Sequence, residues 1–160
     1  MLRGVTTDVY RLWQKLSGRP LGKWAFGRAY GLKVPYFRTI RPRFTEVRPG
    51  FCRLVVPDRR GVRNHIGTVH AIAVCNGLEA AMGAMAEATV PDHKRWLPKG
   101  MDVRYTAKST SDITCTAESD PARWLDPDPD VPVTVTATRD DGTVVAEGII
   151  HLWVTDKPRR

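Results

Sequence analysis

No run of apolar residues in this 160-residue chain reaches the roughly 18 to 20 that a membrane-spanning helix needs. Nor is a secretory signal expected at the N-terminus, because Arg3, Asp8 and Arg11 interrupt the stretch that would have to be continuously apolar. A cytoplasmic location is the expectation. Cysteine is scarce: Cys52, Cys75 and Cys115 are an odd number with no CxxC or metal-ligand spacing, which argues against a disulfide framework and predicts reduced core thiols. The four histidines, His65, His70, His93 and His151, make no regular metal motif, and no serine sits in a nucleophile-elbow sequence. Neither a metal nor a resident cofactor is expected.

Acidic residues are nearly missing from the first quarter of the chain. Residues 1–43 hold ten Lys or Arg against Asp8 alone, so the net charge of +8 is concentrated there and the remainder is close to neutral. Without a recognition motif, charge alone does not point to nucleic acid, and none is expected as a partner. Trp13, Trp24, Phe26 and Tyr30 lie among these cations, which leaves two readings open. Either the arm makes peripheral contact with an anionic membrane, or its rings pack on the protein's own sheet.

What is present divides into a basic, aromatic N-terminal arm, residues 1–43, and one domain over 44–160 that is large enough to bury a core. Val9, Leu12, Trp13 and Leu16 recur at helical spacing after a cap at Thr6 or Thr7. Four glycines and three prolines between Ser17 and Pro42 predict an irregular segment that wraps the surface. Phe44 to Val56 reads as the first strand, bent or bulged at Pro49-Gly50. Val69 to Ala88 reads as a helix of about five turns capped near Thr68, dominated by Ala, Val, Ile, Leu and Met.

Alternation then predicts strands over Met101–Ala107, Ile113–Ala117, Val133–Thr138 and Val144–Val154, the last two forming a hairpin. A helix apolar on nearly every side must be wrapped by its sheet. The fold class expected is α+β, a hotdog arrangement with an extra N-terminal amphipathic helix.

Between Ala71 and Ala86 the only charged side chain is Glu79, with Asn76 three residues earlier. An unpaired buried carboxylate costs several kcal/mol, so this one needs a reason. It either lines a pocket as general base or nucleophile, or is a structural carboxylate held by an arginine or by backbone N–H groups across a dimer interface. The residues alone do not choose. Upstream, Arg63-Asn64-His65-Ile66-Gly67-Thr68-Val69-His70 leads a polar loop into the helix N-terminus, where unpaired N–H groups near Ala71 favour an oxyanion. Asn64 could donate to the same oxygen and His70 could orient the loop or touch substrate. On the alternative reading Asn64 is a turn residue, Gly67 a conformational necessity and His70 a satisfied first-turn histidine.

The run from Asn64 to Glu79, through Gly67 and His70, resembles the signature of PaaI-type hotdog thioesterases, in which an Asn precedes a His by six positions and an acid follows it by nine. Both spacings hold. The N-terminal arm with Pro35-Tyr36-Phe37 is similar to a subgroup of hotdog domains related to the C-terminal thioesterase-like domain of YiiD. The usual Gly-Gly after the His is here Ala71-Ile72, the acid is Glu rather than Asp, and Leu97-Pro98-Lys99-Gly100 stands where many relatives carry a Ser or Thr.

The resemblance implies an acyl-CoA thioesterase in which Glu79 is general base or nucleophile, Asn64, Gly67, His70 and Ala71 form the oxyanion side, and coenzyme A is part of the substrate. It also implies a homodimer, with pairing into tetramers left open, in which Glu79 of one subunit faces the Asn64–His70 loop of the other. Coenzyme A phosphates would need cations, for which Arg63, Arg95 and Lys99 are the candidates. The alternative function is a non-catalytic acyl- or lipid-binding module with the same pocket.

Overall fold

The computed structural model describes residues 7–158. Its centre is an antiparallel sheet of six strands, β1 (Arg43–Arg48), β2 (Phe51–Val56), β3 (Lys94–Tyr105), β4 (Ile113–Glu118), β5 (Asp130–Thr138) and β6 (Val144–Asp156), in the order β1-β2-β4-β5-β6-β3. Three α-helices accompany it: α1 (Asp8–Leu16), α2 (Gly22–Lys33) and α3 (Ala71–Thr89). The sheet curves around α3, which is the hotdog arrangement. Among the described residues, no helix is long and apolar enough to cross a membrane.

Period-two burial makes the concave face. Ile113, Cys115 and Ala117 on β4, Val131, Val133, Val135 and Ala137 on β5, and Ile150, Leu152 and Val154 on β6 are buried, while their neighbours face outward. Leu78, Ala81, Met82 and Met85 of α3 pack into this face. A Cβ on Gly77 would lie 2.5 Å from Val56 Cγ2 and 2.8 Å from Cys115 Sγ, so the glycine sets how closely α3 lies on β2 and β4.

Several expected boundaries shift for physical reasons. The segment Phe44 to Val56 is two strands, because Pro49-Gly50 makes a full hairpin turn in which Gly50 takes φ +74°. The long helix begins at Ala71, and its N-cap is His70 rather than Thr68: His70 Nδ1 accepts the Ile72 N–H at 3.0 Å. Strand β3 starts at Lys94, seven residues before the expected Met101, and runs through Pro98 with an irregularity between Pro98 and Gly100. It is an edge strand, where a missing N–H is tolerated. Strand β5 likewise starts at Asp130, three residues before the expected Val133. Pro132 lies beyond Thr134, the last β5 residue that pairs with β4, so its missing donor leaves no gap in that ladder.

The arm departs most from expectation. Helix α1 forms as the spacing predicts, with Thr7 Oγ1 accepting the Tyr10 N–H, Asp8 in its first turn and Lys15 in its last. The glycine-rich stretch that follows is no irregular wrap. It contains α2 and a 3-10 helix over Pro35–Ile40. Gly22, Phe26, Gly27, Tyr30 and Gly31 form the buried stripe of α2, and a Cβ on Gly27 would sit 2.7 Å from the Pro42 carbonyl. Trp13, Phe26, Tyr30, Phe37 and Phe44 interlock with ring centroids 5.0–5.8 Å apart, in stacked and edge-to-face pairs. For Trp13, Phe26 and Tyr30, packing on the protein's own core is therefore the observed arrangement; Trp24 alone of that group is exposed.

Candidate active site at the central helix

Beyond the first turn of α3, where Ala71, Ile72 and Ala73 are partly open to solvent, the side chains that remain so are Cys75, Glu79 and Glu87, spaced so that they fall near one stripe. Glu79 is half-buried and lines a cavity of about 280 Å3 between α3, the arm and the start of β3. Tyr30, Lys33 and Phe37 come from the arm, Met82 and Glu87 from the helix, and Trp96 to Pro98 from β3. The walls are mainly apolar and the charged groups are few, which is the usual make-up of a pocket for an organic ligand.

Two hydrogen bonds fix these walls. Trp96 Nε1 donates to Glu87 Oε1 at 3.1 Å, and Tyr30 Oη donates to the Ala80 carbonyl at 3.4 Å. Burial pushes the Tyr30 phenol well above its ordinary range, reinforced by Cys52, Glu87 and Glu79, so it acts as a neutral donor. The same cause, burial, raises the thiols of Cys52 and Cys115, which are held protonated in the core and away from this cavity. Glu87 belongs to the cavity although it lies just beyond the apolar run that singled out Glu79. Its signal in the sequence is the spacing of eight residues, which returns it close to the Glu79 face.

The loop before α3 is built around Asn64. Its Oδ1 accepts the N–H groups of Ile66 and Thr68, both at 3.1 Å, and its Nδ2 donates to Thr68 Oγ1 at 2.9 Å. Gly67 supports the turn with φ +81°, a conformation that glycine adopts without strain. Asn64 is thus a turn organiser, with one further Nδ2 proton not committed to Thr68. His70 spends Nδ1 on the helix cap. Among the described residues, the first-turn N–H groups of Ala71 and Ala73 have no assigned acceptor, whereas Val74 donates to the His70 carbonyl at 3.1 Å.

Within one chain the two halves of the expected site are apart. Ala71 and Glu79 are separated by eight helical residues, about 12 Å along the axis at about 1.5 Å per residue. Asn64, Gly67, His70 and Ala71 are brought together; Glu79 is not brought to them. Of the three candidate cations, Arg63 is locked in a bidentate pair with Asp58 at 2.7 and 3.0 Å, and this pairing raises its pKa. Arg95 and Lys99 are exposed on β3, either side of the Trp96–Pro98 wall, and Lys99 Nζ sits 4.8 Å above the Trp153 ring. One contact the sequence did not suggest is Cys75 Sγ to Tyr105 Oη at 3.3 Å, one turn before Glu79 on the same stripe.

Comparison with known proteins agrees with this architecture. The crystal structure of the genomics target APC5556 is 37% identical, with a TM-score of 0.81, and the match covers 94% of this chain and 100% of that one. Protein PA5026 of Pseudomonas aeruginosa is 22% identical with a TM-score of 0.73, over 81% of this chain and 93% of its own. A thioesterase family protein of Silicibacter pomeroyi is 22% identical with a TM-score of 0.66, over 84% and 99%. These last two show a common fold. No curated protein matches the chain. The family described as Domain of unknown function (DUF4442) matches residues 22–154, and the chain belongs to that family.

Proposed function

We propose that the protein hydrolyses an acyl-CoA thioester as a homodimer. The observation that carries this reading is Glu79, a carboxylate on the central helix, opening into an apolar cavity bounded by β3. Two structural neighbours favour the same chemistry by name: PA5026 is described as a probable thioesterase, and the Silicibacter protein as one of a thioesterase family.

In the proposed dimer, two β3 edges pair and bring Glu79 of one subunit opposite Ala71 and Asn64 of the partner subunit. The 12 Å gap within one chain then ceases to matter. The Ala71 N–H and the free Asn64 amide proton hold the carbonyl oxygen. Glu79 takes a proton from water as the hydroxide adds to the carbonyl carbon. When the C–S bond breaks, the coenzyme A thiolate recovers that proton. Alternatively, the Glu79 carboxylate attacks directly, expelling the thiolate and forming an anhydride that water then opens. In both routes the products are a carboxylic acid and free coenzyme A thiol.

The acyl chain occupies the cavity between the arm and α3. The cavity volume of about 280 Å3 favours a chain of medium length as the proposed substrate. Arg95 and Lys99, exposed on either side of the Trp96–Pro98 wall, are the cations proposed to meet the phosphates, whereas Arg63 pairs with Asp58. A second reading, an acyl-binding module without turnover, is favoured by one observation: Asn64 and His70 both use polar atoms to build the loop itself.

The test is a hydrolysis screen of wild type and Glu79→Gln over acyl-CoAs of graded length. Activity peaking at medium length and lost by at least about a hundredfold in the variant supports hydrolysis. Equal rates in both proteins would sink it. Tight fatty-acyl binding with no turnover in either would favour the second reading.

A further inference from the structure

A second cavity, about 480 Å3, lies between α2, the segment entering β1, and the loop after β2, and shares no lining residue with the Glu79 cavity. Six cations surround it: Lys23, Arg28, Arg38, Arg41, Arg43 and Arg59. Among the described residues, the only acids in its lining are Asp58 and Asp112, and both are engaged, Asp58 by Arg63 at 2.7 Å and Asp112 by Arg43 at 3.6 Å. Excess positive charge in a concave surface is costly in the absence of an anion, because field lines concentrate there.

Three of the arginines have partners within the protein: Arg43 pairs with Asp112, Arg28 lies over Trp24, and Arg59 reaches the segment before β1. Arg59 donates through Nη2 to the Thr39 carbonyl, while its Nε is buried with no hydrogen-bond partner. Burial and the neighbouring charge of Arg41 both lower the Arg59 pKa, so the two guanidinium groups oppose each other. Arg41 itself has φ +49°, the left-handed conformation in which it caps the 3-10 helix over Pro35–Ile40, its N–H donating to the Arg38 carbonyl at 3.2 Å. Trp24, 65% exposed, forms part of the wall with the Arg28 guanidinium 5.8 Å from its ring centroid.

We infer that this cavity binds a phosphate monoester or diphosphate group. Arginine forks match phosphate oxygens in pairs, and a dianion answers several cations at once where a single carboxylate would leave most unneutralised. The site is independent of Glu79, and stands whether or not the protein is a thioesterase. The phosphate is presented either by a soluble molecule or by a lipid headgroup, and the two sources separate by experiment.

Binding of the full-length chain is measured by titration with inorganic pyrophosphate and by sedimentation with phosphatidylcholine vesicles, plain or containing phosphatidic acid. The variant is Arg38→Gln with Arg41→Gln, two exposed side chains with circular dichroism as the check on folding; Arg38→Gln alone serves if the pair does not fold. The control, Lys15→Gln with Arg19→Gln, removes the same charge from the arm outside the cavity. Saturable pyrophosphate binding that weakens about tenfold or more in the variant and less than about twofold in the control is expected for a soluble ligand. The same variant pattern seen only on phosphatidic acid vesicles assigns the phosphate to a headgroup. Absence of binding in both arms up to about 10 mM pyrophosphate, or equal weakening in variant and control, overturns the inference.

Discussion

Among the contacts that dock the arm on the central helix, that of Tyr30 against Gly83 makes a quantitative prediction. A Cβ built on Gly83 lies 2.8 Å from Tyr30 Oη and 3.7 Å from the Trp96 ring. Only the hydroxyl is in the way. It cannot swing aside, because the Tyr30 ring is stacked on Phe37 at 5.7 Å and meets the edge of Phe44 at 5.1 Å. Gly83→Ala should therefore cost about 1–3 kcal/mol through overpacking, offset by about 1 kcal/mol of helix propensity, for a net loss near 1 kcal/mol. In a Tyr30→Phe background the obstruction is gone. There the propensity gain remains, and burial of one methyl adds up to about 0.8 kcal/mol. The substitution should change sign between backgrounds, with a coupling of about 2 kcal/mol, or roughly 4–8 °C in Tm for a domain of this size. Urea and thermal unfolding of the four proteins measure it. Equal effects of Gly83→Ala in both backgrounds would refute the claim that this hydroxyl sets the spacing of arm and helix.

Three further outcomes follow from other contacts. The Asp141 carboxyl is pulled down to about 2 by hydrogen bonds from Arg139 and Thr143, below the roughly 3.9 of an unfolded chain. Its contribution to stability is present above about pH 4 and lost as pH falls towards 2, so the Tm gap between wild type and Asp141→Asn should be full at neutral pH and close in acid. A gap of the same size at pH 2 would contradict this. Cys52 and Cys115 are fully buried, with thiols raised by burial, and should react with iodoacetamide only on unfolding; native-rate labelling of either would show the core to be more open than drawn. Under the proposed dimer, Met101→Lys on the free edge of β3 should lower the oligomer to a monomer by light scattering, and an unchanged mass would place the interface elsewhere.

The core of the fold was legible because its cause is local. Alternation in β4, β5 and β6 and the apolar run of α3 are periodic signals, and the structure places those residues inward. The arm was not legible in the same way. The glycines of α2 argue against a helix by propensity, and what stabilises it is contact with partners distant in sequence: Phe26 and Tyr30 against Phe44, and Gly27 beneath the Pro42 carbonyl. Pro98 and Pro132 likewise look like breakers until the sheet order shows which strand lies at an edge and where the β4 ladder stops. Pattern reading senses period, whereas these elements depend on which neighbour is missing.

The candidate site divides along the same line. Glu79 stood out because a charge is conspicuous in an apolar run, and it does open into a cavity. Tyr30, Lys33 and Trp96 in that cavity carried no comparable signal, since an aromatic or a lysine in an arm has many unremarkable uses. The relation of Glu79 to Asn64 and Ala71 is of a third kind. Helix geometry sets Glu79 about 12 Å along the axis from Ala71 in one chain, too far for one carbonyl to be held and attacked within it. Meanwhile β3 presents twelve residues as a sheet edge with Leu97 and Tyr105 exposed, a surface that folded proteins rarely leave unpaired. Pairing of that edge with a second copy would cover it and shorten the distance in one step. Under the proposed dimer, the spacing in the sequence that resembles a catalytic signature would be a relation between two chains.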